Sequence, residues 1–112
     1  MLLKDKVALI TGGGNGIGRA IVLRFLRDGA KVVTVDLDQA GMEETLKEAG
    51  QAGGQIRGEM ANITKREDVQ RVVDSIVKEH GRLDILINNA GITRDALTAR
   101  VKDGEVKLMT DE

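Results

Sequence analysis

The 112-residue sequence has no cysteine, no proline, no tryptophan and no tyrosine, and its one aromatic residue is Phe25. Without cysteine there is neither a disulfide framework nor a thiolate metal site. Without tyrosine, no proton transfer that needs a phenol can run on these residues. The charges nearly cancel: 17 Lys and Arg face 18 Asp and Glu, for a formal net charge of -1. That balance gives no electrostatic footprint for nucleic acid or for an anionic membrane. No apolar run approaches the ~20 residues that span a bilayer. The N-terminal MLLKDKVALITGGG has the outline of a basic-then-apolar export signal. However, Asp5 interrupts it, the apolar run is short, and no small-residue cleavage site follows. The expectation is a soluble cytoplasmic protein with neither nucleic-acid nor membrane partners.

What is present is hydrophobic periodicity and glycine. Hydrophobic residues make up 41% of the chain, which is the globular norm. The length suits one domain with one core, so residues 1–112 are read as a single unit. Val7–Thr11 is β-branched and apolar, as expected of a strand buried on both faces of a parallel sheet. A helix follows from about Gly16 to Asp28, with Ile17, Ala20, Ile21, Phe25 and Leu26 as its apolar stripe and Arg19, Arg24 and Arg27 facing away. Gly29 is its stop. Lys31–Asp36 is the second strand. Asp38 caps a second helix that carries Met42, Leu46 and Ala49, and Gly50, Gly53 and Gly54 end it. Gln55–Ala61 is a weaker, more polar strand, placed near a sheet edge. Thr64-Lys65-Arg66-Glu67 reads as a capping box. It opens a third helix whose buried face is Val69, Val72, Val73, Ile76 and Val77, with Gly81 as the stop. Leu83–Asn88 is the fourth strand. From Ile92 onward the pattern weakens to loop, with a helical turn around Ala96–Val101. The β-α alternation predicts an α/β fold with a parallel sheet and helices on both faces.

The glycines concentrate at positions 12, 13, 14, 16 and 18, between the first strand and the first helix. That is the local architecture that cradles a pyrophosphate. The spacing discriminates among its versions. G-x-G-x-x-G fails, because starting at Gly12 or Gly14 its last position falls on Ile17 or Arg19. A P-loop fails too: Gly13 and Gly18 have the glycine spacing, but Arg19-Ala20 stands where Lys-Ser/Thr must be. What fits is T-G-x-x-x-G-x-G on Thr11, Gly12, Gly16 and Gly18. In this reading Gly12 permits the sharp exit from the strand, Gly16 leaves room for the pyrophosphate, and Gly18 lets helix and strand pack closely. Asp36 ends the second strand, 18 residues beyond Gly18. A carboxylate there accepts hydrogen bonds from an adenosine ribose and repels a 2′-phosphate. Asn15 adds no positive charge to the loop, and no Arg directly follows Asp36. NAD(H) is therefore expected over NADP(H).

This glycine pattern resembles that of the short-chain dehydrogenase/reductase family, and two further stretches agree with it. Asn88-Asn89-Ala90-Gly91 is similar to the family's N-N-A-G motif. Asn62-Ile63 falls where the family places an Asp or Asn and an aliphatic residue around the adenine. Asp84, within GRLDILINNAG, also matches and implies a structural role at the start of the fourth strand. The resemblance covers Lys6 to about Lys102. It implies a Rossmann-like sheet of order 3-2-1-4, truncated after the fourth strand. The dinucleotide-contacting set it implies is Gly12, Asn15, Gly16, Ile17, Gly18, Asp36, Asn62, Ile63, Asn89, Ala90 and Gly91. NNAGITRDAL (Asn88–Leu97) and Arg100–Asp103 resemble the 3-oxoacyl-acyl-carrier-protein reductase branch. Acetoacetyl-CoA reductases and related NAD-linked alcohol dehydrogenases share much of the same pattern.

The family's chemistry uses a Ser, a Tyr-x-x-x-Lys pair and an Asn downstream of N-N-A-G. None of these matches a position here, so no catalytic residue is assigned and turnover by these residues is left open. No metal site is assigned either. His80, the single histidine, reads as a helix C-terminal residue favoured by the dipole. Three readings stand. One is the cofactor-binding half of an NAD(H)-linked oxidoreductase that interconverts 3-oxo and 3-hydroxy thioesters in fatty acid biosynthesis. Another is a dinucleotide-binding module without turnover. The third is a flavodoxin-like signalling domain, weakened by the lack of an acidic cluster beyond Asp36. A sheet cut off after the fourth strand would leave an apolar edge open to pairing, so a homo-oligomer is expected.

Overall fold

The computed structural model describes residues 2–51, 53–89, 97–102 and 105–110, the last two stretches as backbone only. The chain runs β1 (Val7–Thr11), α1 (Gly16–Arg27), β2 (Lys31–Asp36), α2 (Gln39–Gln51), β3 (Ile56–Met60), α3 (Arg66–His80) and β4 (Ile85–Asn88). These four strands form one sheet of order β3-β2-β1-β4. Every pairing in it is parallel, with Val7 opposite Lys31, Val32 opposite Ile56 and Ala8 opposite Ile85.

The central strands are apolar on both faces because both faces are covered. Every residue of β1 is buried. Val7, Leu9, Val33 and Val35 point to one side, where Val69, Val72, Val73 and Ile76 of α3 meet them. Ile10 and Val32 point to the other side, against Val22 and Leu26 of α1 and Ala49 of α2. This is the period-2 alternation of a strand meeting the 3.6-residue stripe of a helix.

The buried face of α1 differs from the stripe expected of it. Gly18, Val22 and Leu26 are buried, whereas Ile17 is 72% exposed and Ala20 is exposed. The cause is the close approach of the helix at Gly18, which rotates the i, i+4, i+8 row onto the sheet. The capping box at Thr64 does not form. The Asn62 carboxamide oxygen takes both the backbone N–H and the hydroxyl of Thr64, at 2.9 and 2.6 Å. Helix α3 begins one residue later, behind Lys65 as N-cap, which gives no side-chain capping bond. At the other end Gly81 adopts φ 77° and closes the helix, as expected.

The helical turn expected around Ala96–Val101 is also replaced. β5 (Leu97–Lys102) and β6 (Glu105–Thr110) pair antiparallel in a separate two-stranded sheet, with Lys102 opposite Glu105. In sequence Leu97, Ala99 and Val101 alternate with polar residues, as Val106 does with Glu105 and Lys107.

Candidate dinucleotide site

The glycine turn leaves β1 at its C-terminal end, and the backbone demands glycine there for separate reasons. Gly12 sits at φ 72°, a left-handed conformation that costs other residues 1 kcal/mol or so. At Gly18 a Cβ would lie 1.9 Å from the Gly12 carbonyl oxygen. Gly16 is different: a Cβ there would meet nothing within 4 Å. Neither its conformation nor its neighbours require glycine, so the space beside it is free for something outside the chain.

Helix α1 starts at this turn with its N-terminus open. Asn15 is the N-cap residue but makes no side-chain capping bond, and the first turn holds no acidic residue. The first N–H groups of a helix lack intrahelical partners and carry the positive end of its dipole. An anion is their natural complement. Asn15, Gly16 and Ile17 are all exposed.

Asp36, at the end of β2, faces the turn. Its Oδ2 accepts the Gly14 N–H at 2.9 Å, and its Oδ1 accepts those of Leu37 and Asp38 at 2.7 and 3.1 Å. A carboxylate offers about four acceptor positions, so three amides leave room for one further donor. Asp36 therefore also organises backbone, tying strand end and glycine turn together.

Thr11 and the two asparagines interlock across β1 and β4. The Thr11 hydroxyl donates to Asn88 Oδ1 at 3.0 Å and accepts the Asn89 N–H at 2.9 Å. Asn89 Nδ2 reaches the Gly12 carbonyl at 3.5 Å. The T-G and N-N motifs are thus halves of one hydrogen-bonded unit. Ala90 and Gly91 lie outside the described residues. Asn62 and Ile63 follow β3, at the same C-terminal end of the strands but two strands over from β1. Asn62 is fixed through Asp68, whose carboxylate accepts its N–H at 2.9 Å, and Ile63 packs partly buried against the α3-side core.

Asp84 pins the start of β4 as expected. Its Oδ2 accepts the Val7 N–H at 2.8 Å, and its Oδ1 accepts two Arg82 donors at 3.0 and 2.7 Å. Burial pushes this carboxyl up, but the Arg82 and Val7 bonds outweigh it and hold its pKa below the ordinary carboxylate value. His80 lies in the last turn of α3 and contacts Glu79 at 3.1 Å, far along the chain from the turn. Among the described residues no three His, Cys, Asp or Glu side chains are grouped as metal ligands. No described helix is long and apolar enough to cross a membrane.

Two residues around the turn escaped the sequence reading. Arg19 does not face away from the fold; its side chain is 23% exposed and binds the glycine turn and α2. A cation in the first turn opposes the helix dipole, which was the available signal that it has a local partner. Thr45 is fully buried on α2. Its place between Met42 and Ala49 on the apolar stripe marks a polar group that must find a bond inside.

A parallel sheet with a glycine turn and an open helix N-terminus at the strand C-termini defines the Rossmann-like class of α/β proteins. Within that class the chain belongs to the short-chain dehydrogenase family, whose profile matches residues 6–111. It is 43% identical over 103 residues to the 3-oxoacyl-(acyl-carrier-protein) reductase FabG of Thermotoga maritima, covering 92% of this chain and 42% of that protein. It is also 43% identical over 108 residues to the short-chain dehydrogenase/reductase homolog YusS of Bacillus subtilis, covering 92% of this chain and 99% of that protein. The chain thus spans less than half the length of FabG and nearly all of YusS. Among solved structures, a short-chain dehydrogenase/reductase from Burkholderia xenovorans superposes with a TM-score of 0.77 at 41% identity, over 84% of this chain and 38% of that one. Two others, each 30% identical with a TM-score of 0.77, were solved with bound cofactor. A metagenomic short-chain oxidoreductase holds NADP (82% of this chain, 42% of that one), and a Burkholderia phymatum relative holds NAD (85% and 34%).

Proposed function

We propose that this chain is a single nucleotide-binding unit that takes NAD(H) in preference to NADP(H). The observation that carries this reading is the pairing of an open helix N-terminus beside the unfilled space at Gly16 with a carboxylate, Asp36, 2.9 Å from the same turn. The pyrophosphate would lie on the N–H groups of Gly16, Ile17 and Gly18, with Gly12 and Asn15 shaping the turn. Asp36 would accept a ribose hydroxyl with its remaining acceptor position and repel a 2′-phosphate. Asn62, Ile63, Asn89, Ala90 and Gly91 would border the adenosine side. NAD supplies hydride chemistry when bound; the chain's own part is to hold and orient it.

The activity proposed for the protein is oxidoreduction resembling that of 3-oxoacyl-acyl-carrier-protein reductase, in the cytoplasm and as a homo-oligomer. The likeness to FabG from Asn88 to Asp103 supports the substrate class. A second reading is a dinucleotide-binding module without turnover. It is favoured by the absence of any tyrosine among the 112 residues. Isothermal titration of the purified chain with NADH and NADPH tests the cofactor reading. Tighter NADH binding is expected, and equal or better binding of NADPH would overturn it. Oxidation of NADH by a 3-oxoacyl thioester separates the two functional readings, and sedimentation reports the oligomer.

A further inference from the structure

The amide side of the glycine turn is fixed by Asp36, and its carbonyl side is fixed by a bridge that no sequence motif announces. Thr45 of α2, fully buried, donates its hydroxyl to the Gly13 carbonyl at 2.7 Å. Thr45 Oγ1 in turn accepts the Arg19 Nε–H at 2.9 Å. Arg19 Nη2 then donates to the Gly14 carbonyl at 3.0 Å and to the Gly41 carbonyl at 3.3 Å. Glu44 and Glu48 flank the guanidinium more loosely, at 3.6 and 4.0 Å. Helix α2 is seated on the turn itself: a Cβ at Gly41 would lie 2.1 Å from the Gly14 carbonyl oxygen.

These bonds fix two successive peptide planes. In the 13–14 peptide the carbonyl is held by Thr45 and the N–H by Asp36. In the 14–15 peptide the carbonyl is held by Arg19, and because a trans peptide sets C=O and N–H on opposite sides, the Asn15 N–H must point away from α2. A carbonyl turned toward the bound anion would repel it. Holding both carbonyls against α2 keeps them out of the phosphate's way and leaves the Asn15 N–H, with those of the helix start, to face it, the Gly14 N–H being taken by Asp36.

We propose that Arg19 and Thr45 are positioning residues, through which helix α2 sets the orientation of the phosphate-binding turn without touching the phosphate. This rests on the dinucleotide reading above. The test compares ligands that carry the pyrophosphate (NADH, ADP-ribose) with one that does not (adenosine), in wild type, Thr45→Val, Thr45→Ser and Arg19→Gln. Each variant is checked for folding by its amide NMR spectrum. Thr45→Val and Arg19→Gln should each weaken NADH and ADP-ribose by about tenfold, the effect of losing one or two buried hydrogen bonds. Adenosine should change less than about twofold on the same grounds, and Thr45→Ser, which keeps the hydroxyl, should restore most of the loss. Folded Thr45→Val and Arg19→Gln proteins that bind NADH like wild type would overturn the proposal. An equal loss for adenosine and ADP-ribose would also overturn it, since that is general loosening. If Thr45→Val does not fold, Arg19→Gln carries the same comparison. Wild-type protein that binds neither NADH nor ADP-ribose removes the dinucleotide reading and this inference with it, whereas binding by wild type with unaffected variants removes this inference alone.

Discussion

The two edges of the sheet are built differently. At β3 the residues facing α3 are Arg57 and Glu59, paired with each other at 2.7 Å. Arg57 continues to Glu79 at 3.1 Å and to the Ser75 hydroxyl at 3.2 Å. Burial disfavours its charge, but Glu59 and Glu79 outweigh that and raise its pKa. Charged side chains on an edge strand discourage pairing with another chain, so β3 is a finished edge. At β4 Ile85, Leu86 and Ile87 are half-buried, apolar and uncharged, and only Asn88 is polar and exposed. No described strand pairs with its outer side. Beneath it a small apolar recess is lined by Leu9, Val35, Ile63, Leu86 and Asn88, among others. β4 has the composition of an interior strand at an edge position among the described strands. The same distinction recurs inside the glycine turn. Gly18 is fixed by the protein's own packing, and Gly16 is left open.

Substitutions at the two kinds of position should behave differently. Ile87→Glu puts an unpaired charge against the α1-side core and should cost about 3 kcal/mol or more, read as a fall in the urea midpoint. A near-neutral result would mean that β4 is as finished an edge as β3. Gly18→Ala should cost about 1–3 kcal/mol from overpacking, whereas Gly16→Ala should leave thermal stability within about 0.5 kcal/mol and weaken NADH binding. A Gly16→Ala protein that binds NADH normally would remove the ligand as the reason for that glycine. Asp84→Asn should cost about 1–2 kcal/mol at pH 7. Because the Asp84 pKa is lowered in the folded state, its contribution is present above the unfolded value and is lost as the pH falls through the folded one. The gap between wild type and Asp84→Asn should therefore close below about pH 4, and a gap unchanged at pH 2.5 would contradict the assignment. Smallest is Arg57→Ala. Its ion pairs are partly exposed and worth about 0–1 kcal/mol, and a larger loss by denaturation would show the β3 edge to be structural rather than protective.

Much of this was legible in the sequence, and the failures have physical causes. β1 and β2 could be bounded to the residue because both are short and β-branched, β1 lying between Lys6 and Gly12 and β2 beginning and ending on the charges of Lys31 and Asp36. The order of the sheet followed from the family resemblance. Asp36 and Asp84 were recognisable by position, although the amides that Asp36 holds were not. The stripe on α1 was misjudged because the close approach at Gly18 decides which row faces the sheet, and a glycine has no hydrophobicity to register. Leu97 and Val101 misled because a spacing of four satisfies both the helical and the alternating period; Ala99, two residues from each, was the discriminating residue. Arg19 and Thr45 were missed because the groups they hold in the turn are the Gly13 and Gly14 carbonyls, and backbone carbonyls leave no trace in side-chain patterns.

The hydrogen bond from Thr11 to Asn88 also bears on the order of assembly. It joins residues 77 positions apart, while Gly14–Asp36 and Gly13–Thr45 join residues 22 and 32 apart. Closing a longer loop costs more entropy and slows the contacts that depend on it. As the chain is synthesised, the glycine turn can meet β2 and α2 within the first 45 residues, while its contact with Asn88 and Asn89 waits for β4. Pulse-labelled hydrogen exchange during refolding should then find the Gly14 N–H protected before that of Asn89. The glycine-turn side of the candidate site would be in place early, and its last wall would arrive with the fourth strand.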